Sequence, residues 1–158
     1  HPVFIMHIGG HWGTGNSLAM QMAGDAWESI CGSERINRAM VTREWVDAGI
    51  PVTIGSDAPS TPWYTPQVDL VETVLRHTYS GRVINDDQCL TIDEALRAHT
   101  IQAAYACHEE SIKGSIEAGK LADLAVWNLE PTRSKAADFV NKTTMFMTLV
   151  NGAIVFQV

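Results

Sequence analysis

The sequence predicts an α/β fold followed by an all-β tail, and three observations lead to this prediction. Residues 3–6 and 52–55 are short apolar runs typical of buried strands, and helix-like sequence lies between them, which makes one βαβ unit. From Gly114 onward, glycine-punctuated turns and β-rich runs replace the helical periodicity. Near the end, Asn151-Gly152 lies between two apolar runs, a pattern typical of a two-residue hairpin.

The βαβ unit is the first predicted structure along the chain. Residues 3–6 are apolar on both faces, as interior strands of parallel sheets are, and residues 52–55 are apolar and β-branched residues that suit a short buried strand. Apolar residues recur at three- and four-residue intervals over about residues 33–48, which predicts the connecting helix. Gly49 suits the position just after its last turn, and Pro51 bars any helical continuation.

Two further helices are predicted in the middle of the chain. Residues 65–66 are a Thr-Pro pair, which suits a helix cap and first helical position, and Gly81 is expected to end that helix. Residues 91–94, with the sequence TIDE, have the spacing of a capping box. The helix that they start is expected to run towards Cys107, and its many alanines imply close packing.

The tail from Gly114 is predicted to contain only β-structure and turns. A β-rich strand reaches Trp127, and residues 131–138 read as a polar connection. Residues 145–150 and 153–158 then form the two strands of the predicted hairpin.

Composition indicates a folded domain with an acidic surface. The chain has 158 residues, of which 46 % are apolar and 18 % charged, enough for one domain with its own core. The net charge of -7 disfavours nucleic acid and anionic membranes as partners, and no run is long enough to span a bilayer. Three widely spaced cysteines suggest neither a disulfide framework nor a metal knuckle, so reduced thiols in a cytoplasm are expected. Because the chain starts inside a predicted strand, we expect it to be a piece of something longer.

Asp57 is the first candidate functional residue, since it follows the apolar run at residues 52–55. Ligands of parallel α/β sheets gather at the carboxyl ends of the strands, where a carboxylate can bind a metal or move a proton. An aspartate before a proline-containing loop also caps turns and helices well. Taken without further context, the residues slightly favour the cap.

The glycine-rich loop after the first predicted strand carries His7 and His11. Its four glycines do not have the spacing of a phosphate-binding loop, and it lacks the Lys-Ser/Thr pair. The two histidines are candidates for contacting a substrate or a metal. For each histidine alone, a hydrogen-bonded loop position is the more common situation.

Two separate motifs resemble the metal-dependent amidohydrolase superfamily. The sequence GSIEAGKLADL at residues 114–124 is similar to the stretch G-x-[LIV]-x-x-G-[KR]-x-A-D-[LIF], which enters the small β-sandwich of that superfamily. The sequence AGIPVTIGSDAP at residues 48–59 resembles its last barrel strand with the metal-site aspartate. Residues 91–105 resemble the helix between these motifs, and residues 150–152 the closing hairpin. Residues 2–4 and the following loop suit the seventh strand of the amidohydrolase 3 branch, which includes N-substituted formamide deformylase-like enzymes.

The resemblance implies an architecture and a chemistry. Residues 1–111 would be the C-terminal end of a (β/α)8 TIM-type barrel, with its last two strands and helices, and residues 112–158 part of the accompanying β-sandwich. Asp57 matches the aspartate that ligates the catalytic metal, takes a proton from the metal-bound water and passes it to the leaving amine. This match favours a functional role for Asp57 over the capping role considered above. The expected cofactor is a divalent metal, zinc by preference, and the expected substrate is a small molecule with an amide-type C–N bond.

The other metal ligands of the family match nothing in this chain, since they would lie upstream of His1. The chain alone is therefore expected to be catalytically incomplete, because one carboxylate cannot build such a site. Lys120 and Asp123 of the second motif are expected to be architectural rather than an acid–base pair.

Aromatic and histidine side chains follow the two predicted strand ends, where barrel loops shape substrate binding. They suggest a substrate with an aromatic or hydrophobic part, although packing beneath long loops explains each tryptophan equally well. The candidate substrate-binding residues are His11, Trp12, Trp63 and Tyr64.

Two alternatives to an incomplete hydrolase stay open. The chain is either a non-catalytic binding or assembly module derived from a barrel end, or one subunit whose missing strands come from another chain. A two-strand remnant of a barrel leaves apolar edges, so the chain is expected to associate with the missing part of the barrel or with further copies of itself.

Overall fold

The computed structural model describes residues 28–30, 32–55, 65–78 and 81–158. The helices, in chain order, are α1 (Ser33–Ile36), α2 (Thr42–Asp47), α3 (Pro66–Leu75), α4 (Ile92–His99), α5 (Ile101–Ala106) and α6 (Ala136–Lys142), with a 3-10 turn at Asp86–Gln88. The strands β1 (Leu124–Trp127), β2 (Met145–Val150) and β3 (Ala153–Gln157) form an antiparallel sheet in that order. Helical structure thus precedes a small sheet, as the patterning predicts.

The single helix predicted over residues 33–48 is wrong, because α1 and α2 are separate. The chain turns between them, and Met40 adopts a left-handed backbone conformation with φ of 54°. A distant side chain stabilises this turn, since the buried Arg76 guanidinium donates to the carbonyl oxygens of Ala39 and Met40. The spacing of apolar residues over residues 33–48 gives no information about this contact with Arg76.

The end of α2 agrees with the prediction for Gly49. Its φ is 73°, and its N–H donates to the Val46 carbonyl at 2.9 Å. The N–H of Ile50 donates to the Trp45 carbonyl, also at 2.9 Å. These two bonds form a Schellman motif, in which glycine supplies the left-handed residue.

Helix α3 begins at Pro66 as predicted, but it ends at Leu75 rather than at Gly81. Arg76 takes a left-handed conformation with φ of 52°, and its buried guanidinium donates to the Ile84 carbonyl at 3.0 Å. The chain then turns back on itself, so that His77 pairs with Val83 in an isolated antiparallel bridge. Gly81 lies within this turn instead of capping the helix.

The helix predicted from residue 91 towards Cys107 breaks at Thr100. Its start is confirmed, since Thr91 and Glu94 make both hydrogen bonds of the capping box. At Thr100 the backbone leaves the helical region, with φ of -123° and ψ of -91°, and α5 begins afresh at Ile101. The Thr100 hydroxyl donates back to the Leu96 carbonyl at 2.7 Å, a bond that bends helices.

Gly114 packs directly against this break. A Cβ atom at this position would stand 2.7 Å from Ala104 Cβ and 3.0 Å from Ile101 Cα, and the φ of Gly114 is 92°. Both space and backbone conformation therefore require glycine. The close packing expected from the alanine-rich helix is found at this contact.

The predicted hairpin is confirmed, whereas the all-β tail is not. Asn151 and Gly152 have φ values of 49° and 79°, and Val150 pairs with Ala153 across a two-residue turn. The stretch read as a polar connection continues into α6, whose Phe139 is buried. The Phe139 ring meets Trp127 of β1 edge to face, with ring centroids 5.2 Å apart. Docking on the sheet thus stabilises a helix too short to be stable alone.

Residues 52–55 are not part of a β-ladder with any described residue. Val52 and Ile54 are nevertheless buried, and they share an apolar cluster with Leu90 and Ala98. A second cluster contains Leu70, Val71, Ala95 and Phe139. The other predicted strand, residues 3–6, lies outside the described residues, so the barrel stays a prediction.

No helix in the described part of the chain combines the length and the apolar character needed to cross a membrane.

We expect Gly114→Ala to destabilise the fold by about 3 kcal/mol or more, because strain at positive φ adds to overpacking against Ala104. Gly119→Ala is the matched control, since Gly119 has a φ of 94° but nothing within 4 Å of a Cβ atom. Strain alone predicts a loss of about 1 to 2 kcal/mol there. Urea unfolding of both variants measures the difference, and equal losses would rule out the steric contact.

Candidate functional site

The residues predicted to form the site lie outside the described residues. These are Asp57 as metal ligand and proton shuttle, the substrate-binding candidates His11, Trp12, Trp63 and Tyr64, and also His7. Their roles stay predictions. The structure does describe the two flanks of the segment that contains Asp57, namely residues 52–55 before it and α3 after it.

The N-terminal flank is anchored by apolar packing. After the Schellman turn at Gly49, Val52 and Ile54 insert into the cluster with Leu90 and Ala98, while Trp45 and Val46 pack against it. Val52 and Ile54 are buried, whereas Thr53 is half-buried, so the fully buried strand predicted for residues 52–55 is found only at alternate residues. Gly55, the last residue described before Asp57, is exposed.

A polar network, the Gln88 clamp, holds α2 in front of this flank. The buried Gln88 side-chain oxygen accepts hydrogen bonds from the N–H groups of Arg43 and Glu44, at 3.0 and 3.2 Å. Its backbone carbonyl accepts the Thr42 hydroxyl at 2.7 Å. One residue thus satisfies two orphan donors at the start of α2, a task that residues adjacent in sequence usually perform.

The clamp extends to α4 through Arg43. Its guanidinium binds the Glu94 carboxylate with two hydrogen bonds of 2.7 Å, and Glu94 also closes the capping box with Thr91. The Arg43 bonds hold the pKa of Glu94 down at about 2. Arg43 also pairs with Asp47 one turn along α2. The starts of α2 and α4 are therefore fixed to each other, a link that sequence spacing does not reveal.

The C-terminal flank carries two buried carboxyl groups. Asp69 and Glu72 lie one turn apart on α3 and are 3 % and 7 % exposed. Burial raises the pKa of Asp69 to about 6 and that of Glu72 to about 7. Periodicity predicted this helix from its apolar residues and gave no reason to expect acidic groups on the buried side.

An open groove runs between α4, α5 and β1, and apolar side chains including Leu96, Leu124 and Trp127 line it. His99 faces the same groove, and its Nδ1 lies 2.8 Å from the Ala95 carbonyl. Because that contact makes Nδ1–H the donor and burial lowers the pKa of His99, its imidazole is neutral with a lone pair on Nε2. In the described part of the chain, neither His99 Nε2 nor Trp127 Nε1 has a hydrogen-bond partner, and neither is in contact with solvent.

Lys120 and Asp123 have the architectural roles predicted for them. The Lys120 ammonium donates to the Ser115 hydroxyl at 2.6 Å, within the turn of residues 114–120. The Asp123 carboxylate accepts the N–H of Asn151 at 2.7 Å, and the Ala122 carbonyl accepts that of Gly152 at 3.0 Å. The second motif therefore fixes the position of the final hairpin turn.

Comparison with known proteins identifies the family. The model of the amidohydrolase family matches residues 11–156. The chain belongs to the amidohydrolase family. This confirms the resemblance inferred from the two motifs at residues 48–59 and 114–124.

Relatives of this amidohydrolase-family chain carry several names. It is 35 % identical over 115 residues to an N-substituted formamide deformylase of Arthrobacter pascens, covering 73 % of this chain and 21 % of that protein. It is 30 % identical over 129 residues to the putative amidohydrolase YtcJ of Bacillus subtilis, covering 80 % of this chain and 24 % of that protein. An imidazolonepropionase of Geobacillus kaustophilus is 34 % identical over 95 residues, covering 60 % of this chain and 20 % of that protein. The chain thus spans about a fifth to a quarter of the length of these relatives.

The fold of this amidohydrolase-family chain also resembles a solved structure. A crystal structure of an uncharacterized protein superimposes with a TM-score of 0.57 and 19 % sequence identity, over 90 % of this chain and 34 % of the other. At this identity the similarity concerns the fold alone.

We expect Gln88→Ala to destabilise the chain by about 1 to 3 kcal/mol, because two N–H groups of α2 lose their acceptor. Gln157→Ala is the matched control, since Gln157 is exposed on β3, and a change below about 0.5 kcal/mol is expected there. Urea unfolding gives both values. Equal free energies of unfolding for the two variants would show that the Gln88 hydrogen bonds do not stabilise the fold.

Proposed function

We propose that the chain is part of a hydrolase that cleaves an amide or another non-peptide C–N bond in a small molecule. The family match over residues 11–156 carries this proposal. The name of one relative, N-substituted formamide deformylase, supports an amide-type substrate. Because the chain spans only about a fifth to a quarter of its relatives, the activity is proposed for the longer protein that contains it.

Asp57 is the residue that we assign to the chemistry. It follows the anchored flank at residues 52–55, at the position that matches the catalytic aspartate of the family motif. Its carboxylate takes the proton from the attacking water and delivers it to the leaving amine, which is general base and then general acid catalysis. His11, Trp12, Trp63 and Tyr64 are proposed to contact the substrate.

The described residues do not form a metal site among themselves, since they contain no group of three or more His, Cys, Asp or Glu side chains able to hold an ion. We propose that Asp57 supplies one ligand to a divalent metal, zinc by preference, and that other parts of the longer protein supply the rest. A zinc site takes three or four protein ligands. When bound, such a metal polarises the substrate carbonyl and lowers the pKa of bound water to about 7.

Exposed apolar side chains support the proposal that further protein segments complete the structure. Every residue of β3 is exposed, including Ile154, Val155 and Phe156, so apolar groups face solvent on both sides of this strand. An uncharged, exposed edge strand readily pairs with another strand. The missing part of the barrel protein or a second copy of the chain is the proposed partner.

In the longer protein, we expect Asp57→Asn to lower kcat at least about 100-fold on N-substituted formamides or related amides, because the amide cannot shuttle the proton. Asp93→Asn is the matched control, since Asp93 is exposed on α4 and its loss should leave kcat within about twofold. A chelator should abolish turnover, and added zinc should restore it. Unchanged kcat in Asp57→Asn would overturn the assignment.

A further inference from the structure

Glu72 lies in the last turn of α3 and closes it. The backbone carbonyl of Glu72 accepts the N–H of Arg76 at 2.7 Å. The next residue, His77, starts the bridge with Val83. The position of this bridge therefore depends on the helix end that Glu72 closes.

Among the described residues, no cation pairs with the buried carboxyl group of Glu72. The residue is 7 % exposed, and its Oε2 atom has no hydrogen-bond partner within the described residues. All eleven Lys and Arg residues of the chain lie in the described part, and none forms an ion pair with Glu72. A carboxylate in such a place costs more free energy than a neutral carboxyl group does.

The charged groups on the described elements packed against α3 form no ion pair with Glu72. Helices α4 and α6 contact it, and the turn of residues 76–84 follows it. On α4, Glu94 is paired with Arg43, and burial lowers the pKa of His99. On α6, Asp138 and Lys142 form an exposed ion pair with each other. The remaining titratable or charged groups of α3 and these elements are Asp69, Arg76, His77, Arg82, Asp93 and Arg97.

We propose that Glu72 is a proton-sensitive lock on the C-terminal end of α3. The neutral carboxyl group stays buried, and the helix end stays closed. Loss of the proton places a charge in a buried position, and the helix end opens so that the carboxylate reaches water.

Opening would release more than one helical turn. The buried Arg76 side chain donates to the carbonyls of Ile84, Ala39 and Met40, and the Arg76 carbonyl accepts the N–H of Ile84. Arg76 directly follows α3, so its position depends on the helix end. The lock therefore couples the protonation of Glu72 to the turn between α1 and α2.

The direction of the effect follows from the burial of the acid. Burial raises the pKa of Glu72 in the folded chain from 4.5 to about 7. The stabilisation from the neutral carboxyl group is thus complete below about pH 4.5, and it is lost as the pH rises through about 7. From these values, Glu72 alone should raise the unfolding equilibrium constant by about one to two orders of magnitude between pH 5 and pH 8. The buried Asp69, whose pKa is raised to about 6, adds a separate rise that the Glu72→Gln variant should keep.

Denaturant unfolding of the 158-residue chain at pH 5, 6, 7 and 8 tests the lock, with Glu72→Gln as the variant that stays neutral at every pH. We expect Glu72→Gln to remove a tenfold to hundredfold rise that the unmodified chain shows. Glu34→Gln is the control, since Glu34 is exposed on α1 and should retain the rise. Equal pH dependence in the unmodified chain and Glu72→Gln would overturn the proposal.

Two measurements locate the effect. In the unmodified chain, the carboxyl carbon of Glu72 should titrate by NMR with a midpoint between about pH 6 and pH 8, and a midpoint below pH 5 would overturn the lock even if Glu72→Gln failed to fold. Amide hydrogen exchange of Arg76, whose N–H closes the last turn of α3, should accelerate at least tenfold from pH 6 to pH 8 after correction for the intrinsic pH effect. Unchanged protection of that amide would contradict opening at the helix end.

Discussion

The side-chain amide of Gln88 holds in place the elements that lead to the proposed catalytic segment. It accepts two N–H groups at the start of α2, and it does so from a 3-10 turn more than forty residues along the chain. Two residues later, Leu90 packs on Val52 and Ile54. Residues 88–90 therefore fix both α2 and the apolar cluster in which Val52 and Ile54 are buried. Arg43 and Glu94 extend the same attachment to α4, so three elements share one set of polar contacts.

The polar contacts and the apolar clusters have different roles. Burial of side chains such as Leu70 and Phe139 supplies most of the free energy, but it is not directional. The hydrogen bonds of Gln88 and Arg76 to backbone groups have fixed geometry, so they determine where each short helix starts and ends. This division explains how helices of four to ten residues, marginal in isolation, have defined positions.

Structural features whose hydrogen bonds join residues close along the chain were predictable from the sequence. The capping box at residues 91–94, the Schellman glycine Gly49 and the hairpin at residues 151–152 all depend on neighbours close along the chain. The end of α3 and the separation of α1 from α2 depend on Arg76, whose partners lie up to 37 residues away. Periodicity cannot contain such information. For the site, the motif around Asp57 supplied the family, while the buried acids that flank it on α3 follow from packing alone.

The contact between Gly114 and α5 has a consequence for reading related sequences. Gly114 indicates the distance between its own backbone and that of α5, because the gap between them leaves no room for a methyl group. A homologue with alanine or serine at this position must have moved the helix or the turn. Substitutions at this one column of an alignment would therefore reveal, without any structure, which members of the family have a different spacing between this helix and the turn that follows it.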